Sequence, residues 1–147
     1  NTEEREIRKK SDLELADFIN KSSIEEFITY WKNQPLFHSQ NQLPKMKKDE
    51  LAERMKSLNK LGLINSLKAF GTGVMQSKWN FICELTVPTL LITGSLDNKF
   101  TSINMEMNKL IKNSVHQTIA EVGHNVHIEK PKEFVNLVIS FLKTHLN

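Results

Sequence analysis

The sequence predicts an α/β protein in which a helical cap over residues 1–85 precedes a parallel strand–helix–strand–helix unit over residues 86–147. Three features predict it. Up to about residue 85, apolar residues recur at three- and four-residue spacing and no run alternates with period two. Beyond that point, Val87-Pro88-Thr89-Leu90-Leu91-Ile92-Thr93 is a near-continuous apolar, β-branched run closed by Gly94, as expected of a strand buried on both faces. A second run, Val115 to Ala120, follows a segment of helical period, which is the order of βαβ units around a parallel sheet.

The elements follow in order. Thr2 can cap a helix with Glu3 and Glu4 in its first turn, and Ser11 to Glu14 offers a second capping box, so one kinked helix or two short ones would fit. Ser23 to Glu26 is a cleaner capping box, followed by Ile24, Phe27, Ile28 and Trp31 along one face, and this helix must stop before Pro35. Leu51, Met55 and Leu58 form another stripe, with Gly62 as a C-cap or break before Leu63, Leu67 and Phe70. Gly71-Thr72-Gly73 then punctuates the chain. After the first strand, Phe100, Ile103, Met107, Leu110 and Ile111 mark a helix, and a last helix opens at Pro131 and buries Phe134, Val138, Phe141 and Leu142.

Composition narrows the possible classes. The chain has 147 residues, 39% hydrophobic and 25% charged, in the range of a single soluble domain. Its charge of +3 is spread out, and the basic runs Arg8-Lys9-Lys10 and Lys45 to Lys48 read as solvated helix faces, so neither nucleic acid nor membrane is expected as a partner. No apolar run reaches transmembrane length. Cys83, the one cysteine, lies in an apolar stretch and excludes internal disulfides and a cysteine zinc site, which fits a reduced, cytoplasmic location.

Asp97 lies just past the first strand, in Thr93-Gly94-Ser95-Leu96-Asp97-Asn98-Lys99-Phe100, and His124 follows the second, in Glu121-Val122-Gly123-His124-Asn125-Val126-His127. Carboxyl ends of parallel strands converge on the ligand crevice. The triad of an α/β-hydrolase fold runs nucleophile, acid, histidine along the chain, and Asp97 and His124 match its last two members in order. In such a triad the carboxylate orients the imidazole, and the imidazole exchanges a proton with the serine. Taken singly, an Asp after a strand is a turn former or helix cap, and a lone His a packed or surface residue. The pair, each closely preceded by Gly at a strand end, favours chemistry. His124, His127 and Glu129 lack the helical H-E-x-x-H spacing of a metal site, so no metal is expected, and His127 reads as a structural residue or one that supports the site from behind.

No G-x-S-x-G occurs, and two strands alone leave edges and faces uncovered. The expectation is therefore the C-terminal part of an α/β-hydrolase fold, whose nucleophile and remaining strands lie in a missing N-terminal half; the first residues, which include no Met, point the same way. The chain alone is then expected to be inactive.

The residues also resemble a known family along nearly the whole chain: the 2-succinyl-6-hydroxy-2,4-cyclohexadiene-1-carboxylate synthases of menaquinone biosynthesis, especially Gram-positive ones. Matching stretches run from Glu4 to Asp12, Tyr30 to Phe37 and Ser66 to Gly73, then from Pro88 to Gly94, Asp97 to Phe100 and Gly123 to Glu129. The strand and Gly-His-Asn motifs specify only the superfamily, whereas the W-x-x-x-P-L-F, G-T-G and D-x-K-F elements discriminate further. The resemblance implies a cofactor-independent lyase that removes a proton from an anionic cyclohexene carboxylate and expels pyruvate, with its Ser-His-Asp triad serving proton abstraction. Asp97 and His124 match triad positions. Arg8 matches a cap arginine that binds substrate carboxylate, Trp31 an aromatic residue of the same pocket, and Arg54, in preference to Lys56, a second substrate cation. For Arg8 the plain alternative is a solvated helix charge, and for Trp31 it is cap packing. Competing activities are a small-molecule esterase of the same fold and a non-catalytic remnant.

Overall fold

The computed structural model of the chain describes residues 2–145. Packing divides the chain differently from a single cut at residue 85. One compact unit joins the chain up to Gln34 with Pro44–Ser77, and the other joins Pro35–Leu43 with the chain from Lys78 onward.

The first unit is helical. α1 (Thr2–Lys21) runs unbroken because nothing in Thr2 to Lys21 is Gly or Pro. Of the two arrangements that would fit, the segment adopts one helix, and Ser11 is interior to α1 because Ala16 and Ile19 bury a stripe that continues through that point. Thr2 is likewise the first helical residue, and the position before it lies outside the described residues. α2 (Ile24–Lys32) opens on the expected capping box: Ser23 Oγ accepts from Glu26 N–H at 3.1 Å, and Ser23 N–H donates to Glu26 Oε2 at 2.7 Å. α3 (Lys45–Lys56) follows Pro44 and buries no residue. In α4 (Lys60–Phe70), Gly62 does not end a helix as expected. Asn59 caps α4 by accepting Gly62 N–H at 3.0 Å, so Gly62 sits in the first turn, because the short Asn amide holds a first-turn donor better than glycine ends the helix before it. α1 packs on α4, around a core of Ala16, Ile19, Phe27 and Ile64. The Gly71-Thr72-Gly73 turn lies flush against α1, with Lys9 N only 2.5 Å from where a Gly73 Cβ would stand.

In the second unit, a 3₁₀ segment at Pro35–Gln42 and a 3₁₀ turn at Ile82–Glu84 accompany β1 (Thr89–Gly94), α5 (Asn98–Leu110), β2 (Ser114–Ile119), α6 (Val126–Glu129) and α7 (Pro131–His145). β1 and β2 pair in parallel from Thr89↔Ser114 to Gly94↔Ile119. A parallel pair needs a crossover, and α5 supplies it while packing on both strands. β1 starts two residues later than the apolar run because Pro88 has no N–H to give a ladder. Its inner residues Leu91, Thr93 and Gly94 are buried, whereas Leu90 and Ile92 are only partly covered.

The core of this unit is Ile119, Val122 and Val126, against Ile92, Phe134 and Leu137. Leu142, expected inside, is 42% exposed, and Leu137 faces the core instead, one turn after Phe134. Cys83 is exposed despite its apolar neighbours in sequence. Among the described residues no helix is long and apolar enough to cross a membrane.

The cap on α2 gives a direct test. Ser23→Ala leaves Glu26 N–H without its acceptor and should cost about 1 kcal/mol of stability. Urea unfolding monitored by helical circular dichroism would show it as a lowered midpoint, and an unchanged midpoint would contradict the capping geometry.

Candidate active site

β1 and β2 deliver two loops to the same end of the sheet, and the loops are stitched together by main chain. Ser95 N–H donates to Ile119 O at 2.9 Å, and Leu96 N–H donates to Val122 O at 2.9 Å. Ser95 Oγ accepts Glu121 N–H at 2.8 Å, which holds Glu121 at a φ of 60°, a left-handed conformation unusual for a residue with a Cβ. Contact is so close at Gly94 that a Cβ there would collide with the carbonyl oxygens of Val122 and Gly123. Its glycine is required by space, since its φ is not positive.

Asp97 closes the turn after β1 and is 7% exposed. Its two oxygens are divided: Oδ1 accepts Phe100 N–H at 3.2 Å and caps α5, while Oδ2 lies 2.7 Å from His124 Nδ1. A carboxylate only accepts, so Nδ1 is the donor and Nε2 is left as the nitrogen for proton exchange. The imidazole contacts the Phe100 ring at 4.5 Å between centroids and meets Phe37 edge-on at 6.5 Å. Its side chain remains 32% exposed. A cavity of about 470 Å³ opens beside it, lined among others by Leu36, His38, Ser39, Lys99 and Gly123. That volume suits a small organic ligand.

Chemically, an imidazole oriented by a buried carboxylate is an acid–base group, and the cavity beside it gives a substrate proton somewhere to be. Among the described residues no group of three or more His, Cys, Asp or Glu side chains could hold a metal ion. His127 meets the Phe134 ring edge-on at 6.0 Å.

The other residues singled out in the sequence belong to the first compact unit. Arg8 Nε donates to Asp12 Oδ1 at 2.9 Å, and Asp12 is only 3% exposed. Trp31 packs against the helical core, 5.7 Å from the Phe27 ring. Arg54 pairs with Glu50 at 2.6 Å on the solvated face of α3, and Lys56 pairs with Glu53 at 2.6 Å. Glu50 is held below its usual carboxylate value chiefly by its hydrogen bond with Lys47, and Arg54 adds less.

Sequence reasoning missed three contributors near His124. Phe37 and Ser39 come from a segment about 85 residues earlier; Phe37 closes the W-x-x-x-P-L-F element, which did not reveal that it would meet His124, and no local pattern marks Ser39. Glu129 carried a signal, since it closes the Gly123-to-Glu129 stretch, but that stretch did not reveal which atoms it would hold.

Strand-end acid and histidine on a parallel βαβα unit are the marks of an α/β-hydrolase fold, and this chain has part of that fold. Proteins similar to it along 95% of its length bear the name 2-succinyl-6-hydroxy-2,4-cyclohexadiene-1-carboxylate synthase. A provisionally named synthase of Bacillus subtilis (strain 168) is 41% identical over 139 residues, 95% of this chain and 51% of that protein. The synthase of Serratia proteamaculans (strain 568) is 22% identical over 139 residues, with the same coverage of each chain. The solved structure of MenH from S. aureus matches all of this chain and 55% of its own, with a TM-score of 0.98 and 32% identity. The chain thus spans about half the length of the relatives it matches. No protein-family profile matches it.

Close approach at the strand ends makes a sharp test. Gly94→Ala should force the two loops apart and cost about 1–3 kcal/mol, the usual range for overpacking. Chemical unfolding would measure the loss, and a variant as stable as the parent would contradict the contact.

Proposed function

We propose that the chain forms part of a lyase that eliminates pyruvate from 2-succinyl-5-enolpyruvyl-6-hydroxy-3-cyclohexene-1-carboxylate in menaquinone biosynthesis, with Asp97 and His124 as members of a Ser-His-Asp triad. The observation that carries this reading is the 2.7 Å contact between His124 Nδ1 and Asp97 Oδ2, in a chain similar over 95% of its length to proteins bearing that synthase's name. In this reading His124 relays a proton between the serine and solvent while the serine oxygen takes one from the ring. The C–H electron pair becomes a new ring double bond, the existing ring double bond shifts by one position, the ring bond to the enolpyruvyl oxygen breaks, and the departing enolate takes a proton from solvent to become pyruvate. Such chemistry needs no cofactor.

Arg8 anchors a substrate carboxylate in this proposal. Its Nε is already held by Asp12, so the two terminal nitrogens present a preset edge for a carboxylate. Trp31 would line the same pocket, a role that rests on resemblance, since its ring contacts are those of core packing. Arg54 would serve as the second cation only by exchanging Glu50 for substrate, and Lys56 would have to release Glu53 in the same way.

The nucleophile and oxyanion donors belong, in this proposal, to further chain of the same protein. Half-length coverage of the relatives supports it, as does the apolar stripe Val135, Ile139 and Leu142, which lies 42–47% exposed on α7. A cytoplasmic location is part of the same reading.

Pyruvate formation from the enolpyruvyl substrate, run beside simple ester hydrolysis, tests it in a polypeptide that includes the nucleophile. His124→Ala should lower pyruvate release by about 10²–10⁴-fold, the usual contribution of a general base. Loss of a charge-assisted bond in Arg8→Ala should lower kcat/KM by about 10–100-fold. The 147 residues alone should release none. Good ester cleavage without pyruvate would reject the synthase reading.

A further inference from the structure

Glu129 is placed where a carboxylate gains nothing from its own helix. It ends α6, a single turn of Val126–Glu129, and the C-terminal end of a helix repels negative charge. Both of its oxygens are used elsewhere. Oε2 accepts Gly123 N–H at 3.1 Å, and Oε1 accepts the Ser39 hydroxyl at 3.0 Å. Gly123 immediately precedes His124 and is buried, so its N–H has no recourse to water. Space is tight as well: a Cβ on Gly123 would collide with Ser39 Oγ, although Gly123 has no positive φ that would demand glycine.

From this arrangement we propose that Glu129 is a positioning residue for His124, holding the Val122–Gly123 peptide, one residue ahead of the histidine, through Gly123 N–H, with Ser39 as the anchor that sets the Glu129 carboxylate. The imidazole is then fixed from two sides. Asp97 fixes its Nδ1, and Glu129 fixes the backbone from which the ring projects. A displacement of that peptide swings the ring away from Oδ2, because a hydrogen bond weakens steeply with lost alignment. The effect on turnover rests on His124 serving the triad, as proposed above, but the effect on the ring itself does not.

The test therefore reads the ring. In the ¹⁵N-histidine-labelled polypeptide, the Nδ1 proton of His124 should give a resolved signal protected from exchange by Asp97. Glu129→Ala should lose that signal. Glu129→Gln should retain it, because an amide oxygen can accept Gly123 N–H and an amide N–H can donate to Ser39 Oγ. Ser39→Ala should weaken it too, because the Glu129 carboxylate then loses its anchor while no new atom crowds Gly123. This second variant decides the matter if Glu129→Ala fails to fold. A protected signal in folded Glu129→Ala, a Gln variant as defective as Ala, or a Ser39→Ala signal as protected as the parent's would each overturn the proposal. Pyruvate release is not the readout, so failure of the synthase reading would leave these outcomes untouched.

Discussion

The close backbone contact at the carboxyl ends of β1 and β2 is the constraint on which the site depends. Gly94 lies against the carbonyls of Val122 and Gly123, and Leu96 N–H bonds to Val122 O across the same gap. Parallel pairing brings the strand ends level, but only a residue without a Cβ lets the following loops touch. Asp97 then does two things from one position. Oδ1 starts α5 and Oδ2 meets His124, so the helix cap and the imidazole partner are the same rigid carboxylate. A capping Asp is usually a purely structural residue. Here the cap is what keeps the second oxygen aimed, because the side chain cannot turn toward α5 or away from it without losing a bond.

A similar economy holds in the helical unit. Asp12 is buried, and Arg8, one turn before it on α1, supplies its partner while keeping half of its own side chain in solvent. Asp12 Oδ2 has no hydrogen-bond partner, a costly state for a buried oxygen. That cost is tolerated where the Gly71 end of α4 presses onto α1, with Asp12 Oδ2 only 2.6 Å from where a Gly71 Cβ would stand. The G-T-G pattern is in this sense a packing signal, and its effect is to fix the part of α1 that carries Arg8.

Much of this was legible from residue order because it depends on local chemistry. The capping box at Ser23, the opening of α7 at Pro131 and the β-branched run ending at Gly94 each follow from backbone requirements met within a few residues. The acid–histidine pair was legible because strand ends converge in any parallel sheet. Points misread or left open had equally local causes. Ser11 and Gly62 have the right chemistry for caps but are overridden, one by the buried stripe of α1 and the other by Asn59. Leu142 was misplaced because α7 carries two apolar stripes, and periodicity does not tell which of them faces a sheet. That Phe37, though part of the W-x-x-x-P-L-F element, and Ser39 would sit beside His124 was not legible, because a contact across about 90 residues leaves no spacing to read.

The central claim is that Asp97 and His124 are energetically coupled, not merely neighbours. A double-mutant cycle on unfolding free energy, with Asp97→Asn to keep the side-chain volume and much of the capping capacity, and His124→Ala, isolates that term. The structure leads us to expect a coupling of about 1.5–3 kcal/mol, the range for a hydrogen bond to a charged group. Additivity of the two substitutions to within about 0.5 kcal/mol, the scatter of independent sites, would contradict it.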